Sequence, residues 1–196
     1  ALAAAGVLDL LTCHYSTLPR LIADGPLRVD VVLLQVSPPD EQGRYSLGLG
    51  NDLLPAALQT ARVVLGEVNR DVPWTHGERH LRREDLALLV DATEPPLAAG
   101  RRTPGPLEMA IGRHVATFVE DGATLQFGIG SIPGAVLACL GDRRDLGVHS
   151  GVLDDGFVDL VESGAVTNAR KSIDPGVTVA GVLMGGPRLH RFAHRN

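Results

Sequence analysis

Cysteine, long apolar runs and clustered basic residues are all scarce in this 196-residue sequence, and each shortage excludes a class of protein. Two cysteines, Cys13 and Cys139, are too few for a disulfide framework, and their apolar surroundings predict buried free thiols in a reducing, cytoplasmic compartment. The longest apolar runs, such as 31–36, are far shorter than the roughly 20 residues that cross a bilayer. The net charge is −5 and the 18 basic residues are scattered, so neither a membrane nor a nucleic acid is an expected partner.

Short runs rich in valine and leucine are abundant, and stretches with helical spacing separate them. Strands are predicted at 7–12, 29–36, 61–68, 86–90, 123–127, 146–150 and 177–183, and helices at 16–23, 53–60, 113–120, 134–140 and 155–163. This alternation predicts an α/β fold with mainly parallel sheets. A segment at 94–106 that is dense in proline and glycine predicts an exposed connector, so we divide the chain into subdomains 1–108 and 109–196.

A glycine-rich turn joins a predicted strand to a predicted helix at 126–134, which reads Gln-Phe-Gly-Ile-Gly-Ser-Ile-Pro-Gly. Gly128 and Gly130 carry no side chain that would hold a ligand away from the backbone. Pro133 suits the first position of a helix, where the amide needs no partner. Free amides at the start of a helix favour an anion or a polarised carbonyl group, so the loop is predicted to bind a ligand.

Two other interpretations of this glycine loop stay open. A dinucleotide fingerprint of the form G-x-G-x-x-G needs a third glycine where this chain has Pro133. It also needs an acidic residue about 20 residues further on for a ribose, whereas the next predicted strand ends in His149-Ser-Gly151. The second alternative is a tight turn that binds nothing.

Further motifs accompany the glycine loop along the chain. They are Gln35-Val-Ser-Pro-Pro-Asp-Glu-Gln-Gly-Arg-Tyr-Ser-Leu-Gly48, Gly66-Glu-Val-Asn69, Pro73-Trp-Thr-His-Gly77, Val119-Glu-Asp-Gly-Ala-Thr-Leu-Gln-Phe-Gly-Ile-Gly-Ser-Ile-Pro133, Asp145-Leu-Gly-Val-His-Ser150 and Leu183-Met-Gly-Gly-Pro-Arg-Leu189. Together they make the chain resemble the acetyl-CoA hydrolase/transferase family, which includes 4-hydroxybutyrate and succinyl CoA-transferases. The resemblance covers the middle portion of the longer family chain. It implies two Rossmann-like open-sheet subdomains of the CoA-transferase type, each incomplete in this chain.

The resemblance also implies where coenzyme A and a nucleophile would lie. The residues that match the CoA-contacting segment of the family are Gly128, Ile129, Gly130, Ser131 and Ile132. In the family, a glutamate after the following strand attacks the acyl thioester and forms a glutamyl-CoA intermediate, which splits one difficult exchange into easier steps. Gly151 stands at the position of that catalytic glutamate and has no carboxylate. The implied protein is therefore a CoA-transferase or acyl-CoA hydrolase that is impaired as given, or a catalytically silent CoA-binding or scaffold subunit.

The implied ligands are a short-chain acyl-CoA thioester and a carboxylic acid, both as substrates, with no metal and no permanently bound cofactor. A homo-oligomer, or association with the portions of the family chain absent here, is also implied. Asp154 and Asp155 could replace the nucleophile, but an Asp pair before a helix is more typical of an N-cap. His149 and Ser150 are neighbours in a strand and point to opposite faces, so no catalytic dyad is expected.

Four histidines fall into two pairs with helical spacing. His76 and His80 have the i, i+4 spacing of a metal pair, but proline and glycine interrupt the helix that would align them, so a surface loop is predicted. His190 and His194 lie among arginines, and a solvated basic face is predicted for them.

Two features of the first half could belong to a site. Glu67 ends an apolar strand and is either a carboxylate near a site or a structural hydrogen-bond partner. The stiff loop 37–40 follows the strongest strand of this half. It is predicted either to face the acyl or CoA site or to act as a rigid connector.

Overall fold

The computed structural model describes residues 3–98, 100 and 103–196, and these residues form two parallel three-stranded sheets with helices packed on them. The predicted α/β fold is therefore confirmed. Residues 99, 101 and 102 of the predicted connector lie outside the described residues. Over the described ranges, no helix is both long enough and apolar enough to span a bilayer.

The first sheet lies in the N-terminal half. Its strands, in sheet order, are β1 (Val31–Val36), β2 (Val63–Val68) and β3 (Leu88–Asp91). Helices α1 (Leu18–Ala23) and α2 (Leu54–Thr60) belong to this half, with 3-10 turns at Tyr15–Thr17 and Arg83–Asp85. Because side chains alternate along a strand, one face of β1 sends Val32, Leu34 and Val36 into the core. There they form one cluster with Ala57 and Leu58 of α2.

The second sheet lies in the C-terminal half. Its strands, in sheet order, are β4 (Thr124–Leu125), β5 (Gly147–Leu153) and β6 (Val179–Leu183). Its helices are α3 (Pro106–Ala116), α4 (Ser131–Ala138), α5 (Asp155–Glu162) and α6 (Pro187–Ala193). The core of this half joins Val148 of β5, Phe157 and Leu160 of α5, and Leu189 of α6.

A short segment of the first half extends the edge of the second sheet. The amide of Asn51 donates to the carbonyl of Gly181 at 2.9 Å, and the amide of Leu183 donates to the carbonyl of Leu49 at 2.8 Å. Between them, Gly50 forms an antiparallel bridge with Val182. Backbone hydrogen bonds therefore tie the two halves together directly beside β6.

The division into 1–108 and 109–196 remains a proposal. The two sheets lie on either side of it, which supports the division. The helix α3, however, begins at Pro106, so the proposed boundary falls inside its first turn.

Several predicted elements differ from the observed ones. Residues 7–12 form no strand, and Val7 and Leu10 are 70% and 83% exposed, because no neighbouring strand pairs with this apolar run in the described chain. The helix predicted at 113–120 is α3, which starts earlier because Pro106 fits the first helical turn. The strand predicted at 146–150 continues to Leu153, so it does not end at the His-Ser-Gly motif.

The two cysteines also differ from the prediction. Cys13 is exposed, whereas Cys139, at the end of α4, is half-buried. The prediction of buried thiols is wrong for Cys13, because the irregular segment that carries it packs against little of the described chain.

Candidate functional site

The glycine loop lies between β4 and α4, at the carboxyl end of the second sheet. Helix α4 begins at Ser131, with Gly130 as its N-cap. Pro133 is therefore the third residue of the helix and not the first, as the sequence predicted. Gly130 has φ 124° and ψ −177°, a conformation essentially confined to glycine. The first helical hydrogen bond joins the amide of Gly134 to the carbonyl of Gly130 at 3.1 Å. The amides of Ser131 and Ile132 therefore precede the helical ladder, at the end of α4 that favours negative charge.

The surface of the loop is small and apolar. A Cβ atom placed on Gly128 would meet no atom within 4 Å, so this part of the backbone is open to approach. Ile129 and Ile132 flank it and are 49% and 47% exposed. An apolar group can lie on these two side chains while a polar atom meets the helix amides.

Ser150 of β5 anchors the loop to the neighbouring strand. Its hydroxyl oxygen accepts from the amide of Phe127 at 3.2 Å and lies 3.0 Å from the Phe127 carbonyl oxygen. Ser150 is buried and its hydroxyl is committed to backbone groups, so it has a structural role. Gly128 follows Phe127 in the chain, and Gly151 follows Ser150. The structure therefore brings the loop and the predicted nucleophile position together.

Gly151 lies inside β5 on the exposed face of the sheet. A Cβ atom added there would meet no atom within 4 Å, so the position accepts a larger side chain. His149 shares this exposed face, whereas Ser150 points into the core, so the two cannot form a dyad.

The two aspartates after β5 are helix caps. Asp154 is the N-cap of α5, and its carboxylate accepts from the amide of Gly156 at 3.0 Å. Asp155 reaches the start of α6 instead, where it accepts from the amides of Gly186 at 2.9 Å and Leu189 at 3.1 Å. The N-cap interpretation is confirmed for Asp154, and both carboxylates are engaged away from the glycine loop.

Sequence reasoning missed one carboxylate near Gly151. Asp52 lies over Gly181 of β6, and the hydroxyl of Tyr15 donates to it at 3.1 Å. No local motif marks Asp52, because its place depends on the antiparallel pairing of 49–51 with β6.

Comparisons with known proteins identify relatives of the chain. A family model described as the acetyl-CoA hydrolase/transferase N-terminal domain matches residues 2–92. The 4-hydroxybutyrate coenzyme A transferase of Clostridium kluyveri is 40% identical over 191 residues, which cover 97% of this chain and 44% of that protein. The succinyl-CoA:cyclohexane-1-carboxylate CoA transferase of Geobacter metallireducens is 37% identical with the same coverage. The chain belongs to the acetyl-CoA hydrolase/transferase family.

Solved structures of similar proteins share the fold of this hydrolase/transferase family chain. A 4-hydroxybutyrate CoA-transferase from Porphyromonas gingivalis superposes with a TM-score of 0.88 at 33% identity, over 100% of this chain and 50% of that one. RipA from Yersinia pestis superposes with a TM-score of 0.91 at 33% identity, over 100% and 46%. The predicted CoA-transferase type of fold is confirmed. The chain spans about 44% of the length of the curated relatives named above.

In this hydrolase/transferase family chain, Glu67 pairs with a neighbour in the first sheet. Gln35 lies opposite it in the β1–β2 register, and the Gln35 side-chain amide donates to the Glu67 carboxylate at 2.5 Å. This contact favours the structural alternative for Glu67.

The loop 37–40 is tied down within the first half. The amide of Ser46 donates to the hydroxyl of Ser37 at 3.0 Å, and Arg44 forms an ion pair with Asp40 at 2.7 Å. Burial works against ionisation of Asp40, but hydrogen bonds from Arg44 outweigh it and hold the pKa of Asp40 below its ordinary value. The Arg44 guanidinium also lies 5.7 Å from the ring centre of Trp74. These contacts support the rigid-connector alternative.

Three of the four histidines, His76, His80 and His194, contact Trp74. His80 stacks on Trp74 with ring centres 4.6 Å apart, and His76 meets the same ring edge-on at 5.3 Å. The part of the chain that the structure describes contains no group of three or more potential ligands placed to hold a metal ion. His190 is 6% exposed, so the predicted solvated face is wrong for this residue. His194 is exposed as predicted, and it accepts from the amide of Trp74 at 3.1 Å. Burial lowers the pKa of His190 below its ordinary value, and nearby aspartate charges oppose that shift.

Proposed function

We propose that this protein binds short-chain acyl-CoA thioesters at the glycine loop formed by Gly128, Ile129, Gly130, Ser131 and Ile132, as a CoA-transferase or acyl-CoA hydrolase. One observation carries the proposal: α4 begins at a glycine-confined N-cap, in a loop that Phe127 ties to Ser150, the residue before the predicted nucleophile position Gly151. The relatives named above are CoA transferases, which supports coenzyme A thioesters and carboxylic acids as the substrates.

The geometry suits a thioester carbonyl. The amides of Ser131 and Ile132 lie at the positive end of α4, where they would stabilise negative charge on a carbonyl oxygen under attack. Ile129 and Ile132 would cover the apolar part of the acyl or thiol arm. At Gly151 the covalent route through a glutamyl-CoA intermediate has no acceptor, so transfer through that position is expected to be absent or very slow.

A second candidate function is a catalytically silent CoA-binding or scaffold subunit. Gly151 favours it, because a binding subunit needs the loop but not the carboxylate. A dinucleotide site is less favoured, because Pro133 replaces the third glycine of that fingerprint and lies inside the first turn of α4.

Titration calorimetry with CoA, acetyl-CoA and NAD tests the proposed function. CoA and acetyl-CoA should bind to the full-length protein, and NAD should not. Clear heat with NAD and none with either CoA compound would contradict the proposal and favour the dinucleotide alternative.

A cytoplasmic location and an oligomeric assembly also stay proposals, and the first sheet supports the assembly. The face of this sheet opposite its core exposes Val31, Leu33, Leu88 and Val90, by 46%, 74%, 52% and 47%. Parallel sheets are normally covered on both faces, so this face is expected to pack against another copy or another part of the polypeptide.

The 196-residue chain alone is therefore expected to self-associate. Leu33→Lys should shift it toward a monomer, because a charge on the apolar face opposes packing. Leu107→Lys provides the matched control, since Leu107 is 72% exposed on α3, away from the first sheet. Light scattering that finds a monodisperse monomer before any substitution would refute the expectation.

A further inference from the structure

Asp52 is a carboxylate that the fold places on the paired strands beside Gly151 and Gly181. A Cβ atom added to Gly181 would overlap Oδ1 of Asp52, so this carboxylate lies directly on the surface of β6. The position of that added Cβ atom is 3.0 Å from the carbonyl oxygen of Gly151. Backbone pairing of 49–51 with β6 fixes the position from which the Asp52 side chain starts.

Tyr15 holds the other oxygen of this carboxylate. Its hydroxyl donates to Oδ2 of Asp52 at 3.1 Å, which leaves Oδ1 directed toward the strands. Desolvation, and then the hydrogen bond and charge of Asp52, raise the pKa of Tyr15 above its ordinary value. The phenol therefore keeps its proton and remains a donor to Asp52.

Two glycines side by side leave room next to Asp52. The register pairs Ser150 with Ala180 and Val152 with Val182, so Gly151 and Gly181 are neighbours across β5 and β6. A Cβ atom on Gly151 would meet no atom within 4 Å. Oδ1 of Asp52 and the carbonyl oxygen of Gly151 are the kind of polar partners that a bound water molecule needs.

We propose that Asp52 acts as a general base that activates water for hydrolysis of the acyl-CoA thioester. This inference rests on the proposed function, because it places the thioester at the glycine loop next to Gly151. Oδ1 of Asp52 takes a proton from water as the water oxygen bonds to the thioester carbonyl carbon. The carbon–sulfur bond then breaks, and the departing CoA thiolate takes up the proton from Asp52. The products are the carboxylic acid and CoA, with no other reactant.

Asp52→Asn in the full-length protein is the central test. Hydrolysis of acetyl-CoA should fall at least about 100-fold, because general-base catalysis contributes about 10²–10⁴-fold. Asparagine keeps the size of the side chain and an acceptor for Tyr15, so CoA affinity and thermal melting should stay at the wild-type values. The matched control is Asp24→Asn, the same chemical change at the exposed end of α1, which should keep the wild-type rate.

The outcomes separate this inference from the proposed function. An Asp52→Asn protein with the wild-type rate overturns the role of Asp52, as does a wild-type protein that binds CoA but hydrolyses no thioester. In both cases the proposed CoA binding stands. Absence of CoA binding to the wild-type protein overturns both proposals.

Isotope labelling distinguishes a base from a nucleophile. A single turnover in ¹⁸O-labelled water should place the label in the released carboxylic acid. Label found by mass spectrometry in the peptide that contains Asp52 would show that the carboxylate itself attacks the thioester, and would overturn the general-base role.

Discussion

Replacing Gly151 with glutamate is expected to convert a protein that forms no covalent CoA adduct into one that carries CoA as a thioester. The added side chain has room, because a Cβ atom at this position meets no atom within 4 Å. Its carboxylate would extend from the exposed face of β5, next to the loop that Ser150 anchors. A covalent step needs both a nucleophile and amide donors for the oxyanion, and the substitution supplies the former.

The adduct can be measured directly. After incubation with acetyl-CoA, intact-mass spectrometry of the Gly151→Glu protein should show bound CoA, and borohydride should remove this signal by reducing the thioester. Gly151→Gln is the matched control, because it has nearly the same size without a nucleophilic carboxylate. Rapid ping-pong CoA transfer by the unsubstituted protein would refute this account, since it would require a different covalent acceptor.

Gly130→Val is expected to weaken CoA binding at least about tenfold, or by about 1.4 kcal/mol. Gly130 has φ 124° and ψ −177°, and a β-branched residue in this region is strained by about 1–3 kcal/mol. The N-cap would shift, the amides of Ser131 and Ile132 would turn, and the valine side chain would obstruct the loop.

Gly134→Ala is the matched control for the loop substitution. Gly134 lies in α4, and a Cβ atom added there meets no atom within 4 Å. Alanine favours helix over glycine by up to about 1 kcal/mol, so this variant should fold at least as stably and still bind CoA. Wild-type CoA affinity in calorimetry of folded Gly130→Val protein would exclude the loop as the binding site.

The sequence allowed prediction of those parts of the fold that depend on local pattern. The runs at 61–68 and 177–183 contain the observed strands β2 and β6, because short valine-rich runs bury well in a parallel sheet. The sequence also allowed prediction that position 130 requires glycine. A loop that joins a strand to a helix commonly contains a residue with positive φ, as Gly130 has.

The remaining features depend on contacts between distant segments. The run at 7–12 is as apolar as a true strand, but its exposure follows from the lack of a pairing strand in the described chain. His190 lies among basic residues in the sequence, yet α6 turns it into the interior. Asp52 approaches Gly181 only because the chain at 49–51 pairs with β6. Charge and periodicity within a short window carry no information about such pairings.

Amide hydrogen exchange of the full-length protein, with and without saturating CoA, tests the central claim most directly. If the glycine loop and the adjacent strand form the CoA site, CoA should slow exchange in peptides covering 126–134 and 149–153. Exchange in peptides covering 83–91, in the first sheet, should not change. Protection confined to the first sheet, or no protection at 126–134 when CoA is bound, would contradict the assignment of the site.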